Sequence, residues 1–168
     1  MLKPCCSARF LALILLPGSC FGQNPESAKF YKLDFVVKEV EAARVLNARS
    51  YSMIVSTEKP SQASSIRAGS RVPAPSSPGS AQFNYIELGV NIDCRSVQDF
   101  ANELSLFVTA EVTSTLQESA TTLPPVLRQN KWSSSVLVPL RKAIVLFSSD
   151  DVTTRRQMQL ELTATPMR

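Results

Sequence analysis

The stretch Leu104-Ser-Leu-Phe-Val-Thr-Ala-Glu-Val112 alternates between two kinds of side chain along its whole length. Every second position from Leu104 to Val112 is apolar, and the mostly polar positions between them include Ser105 and Glu111. Because successive side chains of a β-strand point to opposite faces, this alternation predicts a strand with one face in the core and the other in solvent. Such a strand needs partner strands to cover its apolar face.

Six further segments have strand patterns. Alternation recurs in three of them: 31–37, 85–95 and 157–164. Strands are also predicted at 44–56, 131–138 and 143–148. Pro139–Lys142 is expected to connect the strands on either side of it as a hairpin. Parallel strands buried on both faces have continuous apolar runs, so the alternation indicates antiparallel pairing. The sequence therefore predicts an all-β fold, either an antiparallel β-sandwich or a partial barrel.

Three segments depart from the strand pattern. Residues 59–82 contain seven Ser, four Pro and two Gly, a composition that predicts one long flexible loop. Within this loop, Ile66–Val72 has the pattern of a short edge strand that stops before Pro73. Thr115–Pro125 is predicted as a second loop. The capping-box form of Ser96–Asp99 predicts one helical turn that continues to Glu103.

The N-terminus has the features of an export signal. Lys3 and Arg9 supply positive charge beside the apolar Phe10–Leu16, so we expect a signal peptide at 1–22 and a single domain at 23–168. A membrane helix needs about 20 apolar residues, so no transmembrane segment is expected. Gly18-Ser-Cys20 is similar to a lipoprotein box, which leaves a lipid anchor at Cys20 as the alternative. Both interpretations place the protein outside the cytoplasm: periplasmic, outer-membrane associated or extracellular.

The composition excludes several classes of function. The sequence has no histidine, which removes the usual general base at neutral pH and every zinc site that uses histidine. Three of the four cysteines precede residue 23, so the mature chain has no internal disulfide. Without Lys3 and Arg9, the 18 basic residues become 16, against 14 acidic ones. We therefore expect no enzyme activity, no cofactor, no metal and no nucleic-acid partner.

Two sequence patterns resemble catalytic motifs, but neither is expected to be catalytic. Ser56-Thr-Glu-Lys59 has the spacing of a lysine-activated serine, but the companion motifs of that chemistry are absent. Asp150-Asp151 is expected to form a turn, because adjacent carboxylates of an extended chain point apart. Cys94 shares the parity of the apolar positions in its strand, which predicts a buried, unreactive thiol.

Three residues are candidates for contact with a partner protein. Trp132 is the only tryptophan, and it would serve either as an interface anchor or in sheet packing. Arg67 and Arg71 sit beside the flexible loop and are the best exposed basic candidates for contact with an acidic partner; simple solvation is the alternative.

In their order, these elements resemble the β-domain of the bacterial secretin family, the outer-membrane ring proteins of type II and III secretion and type IV pili. Gly69-Ser-Arg-Val-Pro73 is similar to the family's Gly-x-x-x-Pro element. Tyr85-Ile-Glu-Leu-Gly89 is similar to its Tyr-x-x-x-Gly strand. The resemblance continues through three later strands and marks seven residues in all: Gly69, Pro73, Tyr85, Gly89, Glu111, Pro125 and Pro166.

The chain also departs from the secretin pattern. Ser148–Asp151 stands where the family has Gly-Gly-Leu, only Val152–Arg156 occupies the position of the lip and gate insert, and no N-terminal ring domains are recognisable. The resemblance implies a non-enzymatic envelope protein that acts by contact with a protein partner or with itself. It would be an accessory or assembly component of a secretion or pilus system. The alternative from the residues alone is a soluble periplasmic β-sandwich that binds a ligand.

Overall fold

The described part of the chain forms eight β-strands. The structure is a computed structural model, and it describes residues 28–58, 62–76, 82–116, 126–152 and 154–167. In chain order the strands are β1 (Phe30–Glu41), β2 (Arg44–Ser56), β3 (Ser64–Pro75), β4 (Phe83–Phe100), β5 (Glu103–Leu116), β6 (Val126–Pro139), β7 (Ile144–Asp150) and β8 (Arg156–Pro166). No helix that could span a membrane occurs in this part of the chain.

The strands form two separate antiparallel sheets of four strands each. Sheet I has the order β2-β1-β8-β7, and sheet II has the order β3-β4-β5-β6. The two sheets face each other without closing into a barrel, so each keeps two edge strands. This architecture confirms the predicted all-β fold. The strands bury apolar side chains on one face only, as expected of sheets with one buried face.

The core lies between the inner faces of the two sheets. Sheet I contributes Leu33, Phe35 and Leu162, all 0% exposed, and sheet II contributes the apolar row that begins at Leu104. Burial of each such side chain contributes about 1.5–3 kcal/mol relative to exposure, before the entropy of ordering the chain is subtracted. The row predicted from Leu104 to Val112 is therefore the centre of the sandwich.

The segment predicted as one long loop contains an edge strand. β3 occupies Ser64–Pro75 and pairs with β4 along its whole length. The alternation at Ile66–Val72 predicted this strand, but it continues through Pro73 instead of stopping there. An edge strand tolerates proline because one side of its backbone needs no partner. The ends of the predicted loop, at 59–61 and 77–81, lie outside the described residues, as does most of Thr115–Pro125.

The helical turn predicted from Ser96 is wrong. β4 continues to Phe100, and its register with β5 shifts between Arg95 and Gln98. Ser96 has a positive φ of 56° at this bulge, and the bulge directs Val97 into the core. Burial of the Val97 side chain outweighs the local capping pattern, because the helical turn would remove four residues from the sheet.

The hairpin predicted at Pro139–Lys142 is also wrong. β6 belongs to sheet II and β7 to sheet I, so this short segment carries the chain from one sheet to the other. Arg141 adopts a positive φ of 62°, and its backbone N–H donates to the carbonyl of Ala164 at 2.7 Å. The segment is as short as a hairpin turn. Only the packing of the two sheets distinguishes a hairpin within one sheet from a crossing between sheets.

Candidate functional site

The two secretin-like elements near the predicted loop are direct neighbours in the structure. Gly69 lies opposite Gly89, and Pro73 lies opposite Tyr85, in the antiparallel register of β3 and β4. The Gly-x-x-x-Pro element therefore pairs with the Tyr-x-x-x-Gly element position by position. A sequence pattern read along one strand cannot show that two glycines face each other across two strands.

The glycine pair allows a close approach of the two backbones. A Cβ atom added to Gly89 would lie 2.2 Å from the carbonyl oxygen of Ala68 and 2.5 Å from the Cα atom of Gly69. Gly89 also has a φ of +145°, which side-chain-bearing residues rarely adopt. A Cβ atom on Gly69 would lie 2.1 Å from the carbonyl oxygen of Leu88. Both positions therefore require glycine.

The two arginines proposed for an acidic partner already contact carboxylates of β4. Arg67 donates two hydrogen bonds to Asp93, at 2.7 and 2.9 Å, and Arg71 donates two to Glu87, at 3.0 and 2.6 Å. Burial tends to raise the pKa of Asp93, but hydrogen bonds from Ser65 and Arg67 outweigh it, and the pKa is lowered. These pairs fasten the edge strand β3 to its neighbour.

Glu111 fastens the opposite edge of sheet II. Its carboxylate accepts a hydrogen bond from the side chain of Gln129 at 2.9 Å and lies 3.8 Å from the ammonium group of Lys131. Both partners are on β6. Pro166 lies opposite Tyr31 at the end of β8, whereas Pro125 falls outside the described residues.

Trp132 packs against the opposite sheet. Its half-buried side chain faces sheet I, where the ring lies 6.3 Å from the ring of Phe147, centroid to centroid, at 36°. Tilted ring pairs at this separation add to the energy of burial. Trp132 therefore joins β6 of sheet II to β7 of sheet I at one side of the sandwich.

The other candidate side chains have structural positions. Cys94 is 0% exposed, and burial, with the nearby carboxylate of Asp93, raises the pKa of its thiol to about 12. Ser56 accepts a hydrogen bond from the backbone of Glu58, and Lys59 lies outside the described residues. Among the described residues, no group of three or more Cys, Asp or Glu side chains is arranged to hold a metal ion.

A cleft opens between the sheets where the apolar core ends. Along β1 the inward positions change from Phe35 through Val37 to Glu39, and along β2 they change from Met53 through Tyr51 to Arg49. β6 and β8 make the same change, ending in Arg128 and Arg156. The cleft has a volume of about 670 Å³ and is lined by both sheets.

Charged side chains surround this cleft. Arg156 donates to Glu39 at 3.2 Å and lies 3.7 Å from Glu41, all within sheet I. Arg128 of sheet II forms an ion pair with Asp151, which follows β7, and the Asp151 side chain is only 7% exposed. This pair therefore ties the two sheets together at the cleft.

Sequence reasoning missed the cleft residues. The signal that could have found them is parity: Glu39 and Arg49 occupy inward positions of strands whose other inward side chains are apolar. A charge at an inward position requires a partner or a wet cavity. Arg128 and Asp151 carry no such local signal, because their contact depends on how the two sheets pack.

A second ion pair joins the sheets at the opposite end. The ammonium group of Lys29 lies 2.5 Å from the carboxylate of Asp99 in β4. Burial, followed by the nearby carboxylate of Asp99, raises the pKa of Tyr31. The hydrogen bond from Lys29 is the main reason that the pKa of Asp99 lies below its usual value.

Acid should therefore weaken the fold. The pKa values of Asp34, Asp93 and Asp99 are all lowered in the folded protein, so each carboxylate stabilises the fold above its unfolded pKa, near 3.9. That contribution is lost as the pH falls through the lower folded values. We expect the denaturation midpoint to fall steadily below about pH 4. Asp99→Asn should reduce the change of the denaturation midpoint with pH below about pH 4. If the midpoint of this variant changed with pH as much as that of the unmodified protein, Asp99 would contribute nothing to the dependence.

Comparison with known proteins supports the fold. No family model matches the chain, and no curated protein matches it. The chain is similar to the Salmonella type III injectisome secretin InvG, with 6% identity, 84% of this chain and 64% of that chain covered, and a TM-score of 0.50.

Two further solved structures are similar to the chain at lower TM-scores. Aeromonas hydrophila ExeD has 11% identity, with 84% of this chain and 47% of that chain covered, at a TM-score of 0.48. GspD of enteropathogenic Escherichia coli has 12% identity, with 84% and 66% covered, at a TM-score of 0.46. The chain thus spans between about half and two thirds of the length of these three chains.

The likeness to InvG extends over 84% of this chain, and it agrees with the secretin resemblance noted in the sequence. At these low identities it is a likeness of fold. The chain has the β-fold of a bacterial secretin domain.

Proposed function

We propose that this chain is a non-enzymatic envelope protein that acts by protein contact, as an accessory or assembly component of a secretion or pilus system. The observation that carries the proposal is a secretin-like sheet II that remains open at both edges. The edge strands β3 and β6 are 12 and 14 residues long, and each pairs with only one described strand. An unpaired strand edge offers a row of backbone groups to a partner strand.

The side chains near the edges support contact rather than catalysis. Ion pairs join β3 to β4 and β6 to β5, and antiparallel pairing with these neighbours keeps each edge strand extended. The sequence has no histidine, and the Cys94 thiol is buried with a raised pKa. A buried thiol of this pKa is a poor nucleophile at neutral pH.

The proposed location is the cell envelope, reached by export. Residues 1–22 carry the signal pattern, but they lie outside the described residues. Mass spectrometry of protein recovered from fractionated cells is expected to find Gln23 as the first residue. A lipid-modified Cys20 would instead identify a tethered protein, and an intact N-terminus in the cytoplasm would contradict export.

Edge pairing can be tested with engineered cysteines. Arg71→Cys on β3 and Ser133→Cys on β6 place thiols on exposed positions of the two edges. If β3 of one copy pairs with β6 of the next, a short bismaleimide should link the double variant into dimers, trimers and larger species. Light scattering on the untreated protein should give the same series of masses.

The single variants serve as matched controls. Head-to-tail pairing predicts no cross-linking with either cysteine alone, whereas pairing of identical edges would give dimers with one of them and no larger species. The unmodified protein reports any reaction of Cys94. A double variant that stays monomeric under the same conditions would contradict self-association and leave a different protein as the partner.

The second candidate function is a soluble β-sandwich that binds a ligand. In the core, the space between the sheets is filled by buried side chains, which include Tyr31 and Leu104. A filled core favours contact through the edges over an internal ligand. The observation that favours ligand binding is the cleft that opens beyond the core.

A further inference from the structure

The inter-sheet cleft has the size of a small-molecule site. Its volume of about 670 Å³ falls within the range of about 300–1,000 Å³ typical of ligand pockets. Its walls come from both sheets, with β1, β2 and β8 on one side and β4, β5 and β6 on the other. The cleft adjoins the core: Val90 belongs to the buried cluster, and Val37 and Val112 pack against it.

The cleft is apolar at one end and polar at the other. Val37 and Val112 are partly buried against the core, Val90 is 3% exposed, and Met158 completes this apolar surface. The outer positions are polar and include Asn47 on β2. Water at the apolar end gains few hydrogen bonds, so an apolar group would replace it favourably.

Three arginines line the cleft, and two of them are held in ion pairs. Arg156 is held by Glu39 and Glu41, and Arg128 is held by Asp151. Arg49 has no ion pair or hydrogen bond with any described residue. A guanidinium group matches the geometry of a carboxylate or phosphate with paired hydrogen bonds.

We propose that the cleft binds a small amphipathic anion. The apolar body of the ligand lies against Val37, Val90, Val112 and Met158, and its carboxylate or phosphate group pairs with Arg49. This site uses inward side chains and leaves the outer strand edges free, so it is independent of the proposed edge pairing. The ligand class follows from an apolar surface beside one arginine that forms no ion pair with a described residue.

Calorimetric titration of the protein recovered from cells tests this site. Decanoate and decyl phosphate are the probes, each used below its micelle-forming concentration, and decanol is the neutral comparison. We expect saturable binding of one molecule per chain for at least one anion and weaker binding of decanol. The anion that binds distinguishes a carboxylate head group from a phosphate.

Variants of β2 identify the contact. Arg49→Gln should weaken anion binding about 10-fold or more, whereas Arg49→Lys, which keeps the charge, should retain most of it. Arg44→Gln removes an exposed arginine from the same strand, outside the cleft, and should bind like the unmodified protein. Methyl NMR should show the largest shifts at Val37, Val90 and Val112.

Three results would overturn the proposal. They are the absence of saturable binding by both anions, equal affinities for Arg49→Gln and Arg44→Gln, and methyl shifts that fall outside the cleft. Light scattering of the same samples reports self-association separately. A failure of the ligand site is therefore distinguishable from a failure of edge pairing.

Discussion

Gly89→Ala is expected to lower the free energy of unfolding by about 3 kcal/mol. The new Cβ atom would lie within 2.5 Å of backbone atoms of Ala68 and Gly69, which are not free to rotate away. The φ of +145° adds backbone strain even where the new Cβ atom has room. The chain could relieve these contacts only if β3 and β4 separated at this point. Denaturant unfolding followed by circular dichroism measures the loss.

Neighbouring substitutions give this prediction its controls. Ser70→Ala, next to the glycine pair on an exposed position, should change stability by no more than about 0.5 kcal/mol. Gly69→Ala should also destabilise the fold, because its Cβ atom would meet the carbonyl of Leu88. The double variant should lose less than the sum of the two, since one separation of the strands relieves both contacts. A Gly89→Ala protein as stable as Ser70→Ala would show that the strands are not this close.

The second large effect is expected at the ion pair that joins the sheets beside the cleft. Arg128→Ala should cost about 3 kcal/mol, because it leaves the Asp151 carboxylate, 7% exposed, without its guanidinium partner. The loss should appear as a lower denaturant midpoint with an unchanged slope. The cleft loses its bridge between β6 and the end of β7 at the same time.

Lys131→Ala is the matched control on the same strand. Lys131 pairs with Glu111 at 3.8 Å and is 67% exposed, so its removal should cost no more than about 1 kcal/mol. The double variant Arg128→Met with Asp151→Leu should recover most of the stability, because it removes both charges together. Equal losses for Arg128→Ala and Lys131→Ala would contradict a buried bridge.

Much of the fold could be predicted from the sequence because strand periodicity is local. The row from Leu104 to Val112 and the parity of Cys94 identified inward side chains correctly, since two-residue alternation depends only on the backbone of one strand. The order of secretin-like elements agrees with the observed fold for the same reason: each element is a strand with its own pattern. The predictions for Ser96–Glu103 and Pro139–Lys142 failed where a local pattern competed with long-range packing.

The candidate site was predicted less completely. Gly69 and Gly89 were identified as motif residues, but their direct pairing was not, and Arg67 and Arg71 were not matched with their carboxylates. Glu39 and Arg49 carried a parity signal that pointed inward. No local signal connected Arg128 with Asp151.

The sequence alone determined the strands, their buried faces and the absence of histidine chemistry, because these follow from residue identity and a two-residue period. Only the tertiary structure decided the strand order, the crossing from β6 to β7, the glycine contact and the cleft. Each of these joins residues distant in the chain, and their contact depends on how two whole sheets pack against each other. The free energy of that packing is summed over the whole core, so no short stretch of sequence contains it.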